Sequence, residues 1–141
     1  MSAVIGLDHG SRRIGVAVAD DAIGQAFPRP AVHRRNAGAD VAEIAALAHA
    51  EDTTRVVVGL PRNMDGSEGP QAAAARAFGA ELSAIGLDVT FVDERLSSWQ
   101  AGEQMAAAGR RIERRTGEKD SAAACVILQE WLDRRRPHDA A

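Results

Sequence analysis

The chain has 141 residues, 45% of them apolar, and a net charge of −3, which suits one globular domain spanning 1–141 and excludes a disordered chain. Its apolar runs fall far short of a membrane span, Met1-Ser2-Ala3 leads into a strand without a basic-then-apolar leader, and its one cysteine cannot form an intrachain disulfide. The expectation is a cytoplasmic protein with no membrane partner.

Ala3-Val4-Ile5-Gly6-Leu7 is a short apolar strand that ends at Asp8. Ile14, Val16 and Val18 then alternate with Gly15, Ala17 and Ala19, the period of a second strand whose small-residue face permits close packing. Between them, Gly10 offers the φ > 0 conformation for a reversal beside Asp8. The hairpin thus sets a carboxylate next to backbone N–H groups and the pair Arg12-Arg13, an arrangement suited to a divalent metal carrying a phosphate. Asp followed by Gly is also among the commonest turn signals, so Asp8 gains meaning only from what lies further along.

Phe27-Pro28-Arg29-Pro30 forbids a helix, and Ala31–Arg35 reads as an edge strand. Asp40 is placed to cap a helix from Val41 to about Glu51, with Val41, Ile44, Leu47 and Ala48 on one face. The β-branched run Arg55–Leu60 predicts a strand covered on both faces. A polar loop from Pro61 to Gly69 follows. Pro70 then opens a helix whose stripe is Ala72, Ala75, Phe78, Gly79 and Leu82, closed by Gly86. Leu87–Val92 is another strand, ending in Asp93-Glu94-Arg95. Ser97 or Ser98 can cap a helix to about Ala108, and residues 109–117 read as a basic loop. The last helix runs from Ala122 to about Arg135, with Ala124, Ile127, Leu128, Trp131 and Leu132 on its apolar face. The order β-β-β-α-β-α-β-α-α implies an α/β fold: a mixed β-sheet with helices on its faces.

Three acidic positions, Asp8, the pair Asp93-Glu94 and Asp120, fall at element ends that can meet at one edge of such a sheet. Carboxylates so gathered repel one another unless a cation sits among them. Oxygen ligands without a His or Cys cluster favour Mg²⁺ or Mn²⁺. Two ions about 3.5–4 Å apart suit phosphodiester cleavage. Alternation sends Asp93 and Glu94 to opposite sides and does not choose between them, and Asp120 also fits a plain helix cap.

Four motifs carry a family resemblance over Ala3 to Leu132: Asp8-His9-Gly10-Ser11 with Ile14-Gly15-Val16-Ala17; Gly59-Leu60-Pro61-Arg62-Asn63-Met64-Asp65-Gly66; Asp93-Glu94-Arg95-Leu96-Ser97; and Lys119-Asp120-Ser121-Ala122-Ala123-Ala124. In these the chain resembles the YqgF/RuvX family of the RNase H-like superfamily, which also includes the RuvC junction resolvases. The resemblance implies an RNase H-like nuclease fold and processing of the 5′ end of precursor 16S ribosomal RNA. It implies Asp8, Glu94 and Asp120 as catalytic metal ligands, and it is the ground for Glu94 over Asp93. His9 stands where an apolar or aromatic residue is more usual, and Ser98 replaces a frequent threonine.

Arg12, Asn63 and Arg95 are candidate substrate contacts, and Arg110, Arg111, Arg114, Arg115 and Lys119 could track a nucleic-acid backbone. For any single arginine pair, solvated surface is the simpler reading. The alternatives to an RNA nuclease are a Holliday junction resolvase and a non-catalytic RNA-binding assembly factor. An actin-like sugar kinase shares the opening hairpin, but this chain has room for one lobe and not two. Because every apolar helical stripe is needed to cover the sheet, a monomer or weak homodimer is expected.

Overall fold

A computed structural model of the protein describes residues 3–63, 65–94 and 121–135. Strands β1 (Ala3–His9), β2 (Arg13–Asp20) and β3 (Gln25–His33) come first, then helix α1 (Ala37–Ala50), β4 (Arg55–Leu60), α2 (Pro70–Ala84), β5 (Asp88–Asp93) and α3 (Ala122–Arg135). They build one five-stranded sheet in the order β3-β2-β1-β4-β5. The β1–β2 and β2–β3 pairs are antiparallel, and β1–β4 and β4–β5 are parallel. The expected mixed sheet is therefore present, with helices on both faces.

Strand periodicity splits the core in two. Ile5, Leu7, Ile14, Val16, Val18, Val56, Val58 and Leu60 pack with Val41 and Ile44 of α1 and with Ala72, Ala75, Phe78 and Leu82 of α2. On the other face, Val4, Ala17, Ala19, Val57 and Val92 pack with Ala124, Ile127, Leu128 and Leu132 of α3. The helix sits close because small residues lie beneath it. A Cβ at Gly6 would come within 2.7 Å of Leu128 Cβ and 3.2 Å of the Ala124 carbonyl. Burying each large side chain contributes about 1.5–3 kcal/mol.

Three local expectations are corrected. The edge strand begins at Gln25 rather than Ala31 and takes in both prolines; an edge strand uses the N–H groups of one side only, so a missing donor is tolerated there. The cap of α1 is Asn36, whose side chain accepts the Ala39 N–H at 2.8 Å. Asp40 instead lies buried in the first turn, where it accepts the Arg35 N–H at 3.0 Å and faces Arg34 Nε at 3.7 Å. Among the described residues the glycines with positive φ are Gly24, Gly66 and Gly86, and Gly10 is not one of them. Its lack of a side chain matters because a Cβ would stand 2.7 Å from the Arg13 carbonyl, which accepts the Gly10 N–H at 2.9 Å as the turn closes. The helix expected near Trp99 and the basic loop 109–117 lie outside the described residues.

Candidate active site

Asp8 is the next-to-last residue of β1, paired with Gly15 of β2. Since Leu7 pairs with Val58, the neighbour of Asp8 on the other side is Gly59 of β4. Gly59 pairs in turn with Val92 of β5, and Glu94 follows two residues later, its N–H donating to the Leu60 carbonyl at 3.2 Å. Asp8, Gly59 and Glu94 thus form a row across the carboxyl ends of three parallel strands, the place where open α/β sheets hold ligands. A Cβ on Gly59 would run into Ile127 and come within 3.2 Å of Glu94 Oε2. The glycine lets Ile127 of α3 pack onto the strand between the two acids.

Parity separates the neighbours of these acids. Val92 lies in the α3-side core, so Glu94 faces α3 as Asp8 does. Asp93 turns to the other side, where its Oδ2 is 3.5 Å from Arg62 Nε. His9 also turns away from Asp8 and stacks on Phe78 of α2 with ring centroids 4.8 Å apart. Burial, then the Arg34 charge, lowers the His9 pKa.

The two acids are held against ionisation. Burial raises the Asp8 pKa. Burial, reinforced by the charges of Asp8, Glu130 and Asp93, pushes the Glu94 carboxyl up to about 8. Such a pair gains from a nearby cation, and its hard oxygen donors fit Mg²⁺ or Mn²⁺ better than a soft metal. Among the described residues no three acidic, His or Cys side chains gather into a metal-holding group. The third acid of the expected set, Asp120, lies outside the described residues, as do Arg95, Arg110, Arg111, Arg114, Arg115 and Lys119.

The residue after Asp120 is firmly placed. The β2–β3 register shifts between Ile14 and Val16, and buried Ser121 bridges the break. Its Oγ accepts the Val16 N–H at 2.9 Å and donates to the Arg29 carbonyl at 2.6 Å. Arg12 is exposed in the β1–β2 turn. Asn63 is exposed in the β4–α2 loop, where its side-chain amide donates to Ser67 Oγ at 2.9 Å and its backbone N–H to the Ser67 carbonyl at 2.8 Å. Its side chain shapes that loop as well as facing solvent.

Two residues near the site escaped the reading of the sequence. Glu130 is a half-buried acid on α3 whose charge contributes to the Glu94 shift. Its signal is an acid three residues after Ile127, on a face otherwise apolar. Arg62 ties the β4–α2 loop to the end of β5, donating to the Gly66 carbonyl at 3.1 Å and pairing with Glu68 at 3.2 Å besides Asp93. Only its place between a buried strand and a turn marked it.

Residues 2–134 match the family described as "RuvX: Holliday junction resolvase". A protein of Anaeromyxobacter dehalogenans named "Putative pre-16S rRNA nuclease" is 48% identical over 134 residues, covering 94% of this chain and 98% of its own. One of the same name from Synechococcus elongatus is 44% identical over 135 residues, covering 95% and 91%. Among solved structures, T. thermophilus RuvC in complex with a Holliday junction substrate superposes with a TM-score of 0.60 at 15% identity, covering 96% of each chain. The large terminase nuclease of phage G20c gives 0.52 at 21% identity, over 76% of this chain and 53% of that one. These two likenesses establish the RNase H-like fold, and the match over nearly the whole sequence establishes the lineage: the chain belongs to the RuvX family.

Proposed function

We propose that this protein is a metal-dependent endonuclease that processes the 5′ end of precursor 16S ribosomal RNA. The observation that carries the reading is the pair Asp8 and Glu94, set on one face on either side of Gly59 and both raised toward their neutral forms. The names of relatives at 44–48% identity support the choice of substrate. Asp8, Glu94 and Asp120 would hold Mg²⁺ or Mn²⁺, two ions in our reading. Asp120 enters the set through the family resemblance; Ser121, the next residue, is anchored to β2 and β3. A bound ion would supply Lewis-acid polarisation of the phosphate and offset its charge. Arg12 and Arg95 then neutralise neighbouring phosphates, Asn63 offers its loop edge to a sugar, and Arg110, Arg111, Arg114, Arg115 and Lys119 follow the backbone.

The family description favours a second reading, resolution of a four-way DNA junction. Two matched cuts need two sites in a symmetric dimer, whereas RNA trimming needs one site. The decisive experiment is competition between a 5′-extended 16S ribosomal RNA fragment and a four-way DNA junction, with Mg²⁺ or Mn²⁺ and with chelator. The expected result is metal-dependent cutting of the RNA by a protein that light scattering shows to be a monomer or weak dimer. Paired cuts in the junction by a stable dimer that ignores the RNA would reverse the choice. Absence of metal-dependent cutting of either substrate would leave the assembly-factor reading standing instead.

A further inference from the structure

The turn that follows Asp8 is held from behind by one arginine. Arg34 Nη1 donates to the Gly10 carbonyl at 3.1 Å and approaches the Ser11 carbonyl at 3.4 Å, while the Arg34 backbone N–H donates to the Arg12 carbonyl at 2.9 Å. Three successive carbonyls of the turn therefore face Arg34. In a trans peptide the N–H lies opposite the C=O. The N–H groups of Ser11 and Arg12 accordingly point to the other side, and the Ser11 and Arg12 side chains are exposed. Successive N–H groups presented on one side of a turn suit a phosphate.

Arg34 is itself fixed by Asp40, which is almost fully buried, faces Arg34 Nε at 3.7 Å and accepts the Arg35 N–H at 3.0 Å. A buried carboxylate in the first turn of a helix is costly unless something compensates it. This one joins the start of α1 to the turn beside the candidate active site. We propose that Arg34, backed by Asp40, is a positioning residue: it locks the β1–β2 turn so that Ser11 and Arg12 grip a backbone phosphate of the RNA next to Asp8. The inference rests on the nuclease reading for its substrate, but it has a readout independent of cleavage. Arg34 acts through the turn, so its loss and the loss of Arg12 must be coupled rather than additive.

The test is a double-mutant cycle with Arg34→Ala and Arg12→Ala, read as affinity for a 5′-extended ribosomal RNA fragment across a salt series. Arg12→Ala should weaken binding and reduce the slope of log affinity against log salt by about one. Arg34→Ala should do nearly the same, and the double variant should be little worse than either. Arg34→Lys, which keeps the charge and one donor, should recover part of the loss. Asp40→Asn should fall between wild type and Arg34→Ala, and it carries the test if Arg34→Ala does not fold. Additive losses would mean that Arg34 meets phosphate itself, and unchanged affinity in folded Arg34→Ala would mean that the turn needs no lock; either overturns the proposal. A wild-type protein that binds the RNA with this coupling yet never cuts it would sink the nuclease reading and leave the positioning role intact.

Discussion

The two faces of the sheet are made by the same strands and do different work. In β1, Ile5 and Leu7 go to the α1–α2 face and are fully buried among large aliphatic side chains. Their neighbours Gly6 and Asp8 go to the α3 face, where the residues are small and the strand ends in a carboxylate. The pattern repeats in β4 with Val58 and Gly59, and at the end of β5 with Asp93 and Glu94. One face is a hydrocarbon seal whose contribution is stability. The other trades bulk for closeness, bringing α3 onto the sheet with two acids on either side of a glycine. Because a strand alternates at every residue, stability and chemistry separate by odd and even positions within a single segment.

The largest effect should come from exchanging members of one adjacent pair. Glu94→Gln should lower single-turnover cleavage by roughly 10³-fold, because several kcal/mol of charge stabilisation is removed. Asp93→Asn, one residue away on the other face, should cost less than about tenfold, since it loosens a half-exposed ion pair with Arg62. Equal losses in the two variants would break the parity assignment. Leu7→Ala tests the sealing face: it should cost about 2–5 kcal/mol in a denaturant titration. Cleavage per folded molecule should stay within twofold of wild type. Gly6→Ala tests the opposite side of the same strand. Its Cβ would meet Leu128 Cβ at 2.7 Å and the Ala124 carbonyl at 3.2 Å, neither of which is the free end of a flexible chain. Helix α3 must shift, at a cost of about 1–3 kcal/mol, and cleavage should fall even in the folded fraction.

Legibility in the sequence followed the same division. The sealing face could be read almost residue by residue: β4 over Arg55–Leu60 and the α2 stripe from Ala72 to Leu82 match the structure, because hydrophobic period is a local property. Asp8 was legible as a strand-end acid, and the separation of Asp93 from Glu94 was foreseeable, but not which of them shares a face with Asp8. That depends on register with β4, which no local pattern encodes. The reading of Asp40 as a cap failed because Asn36 competes for the same role and the partners of Asp40, Arg34 and the Arg35 N–H, are fixed by tertiary packing. The prolines of β3 misled because their tolerance depends on being at the sheet edge, a fact of topology.

The smallest expected effect concerns protons and metal at the two acids. A carboxyl whose pKa is raised on folding stabilises the folded state fully below its unfolded pKa, and that contribution is lost as pH rises through the folded value. For Glu94 the window runs from the ordinary 4.5 up to about 8, with burial as the main cause and the Asp8 charge next. Asp8 is shifted the same way, so its contribution has the same sign. In metal-free buffer, the stability of wild type relative to Glu94→Gln should therefore decline steadily between pH 5 and 8.5. A divalent cation favours the ionised pair and must displace protons to bind, so its stabilisation should grow over the same interval. With free Mg²⁺ at ten times its dissociation constant, the gain at pH 8.5 should be about 1.4 kcal/mol, a few degrees in melting temperature. At pH 6 and the same concentration it should be clearly smaller, and in Glu94→Gln it should be reduced at every pH. A Mg²⁺-induced shift that is equal at both pH values, or unchanged in Glu94→Gln, would show that the ion binds elsewhere. The contrast between the faces would then be one of packing alone.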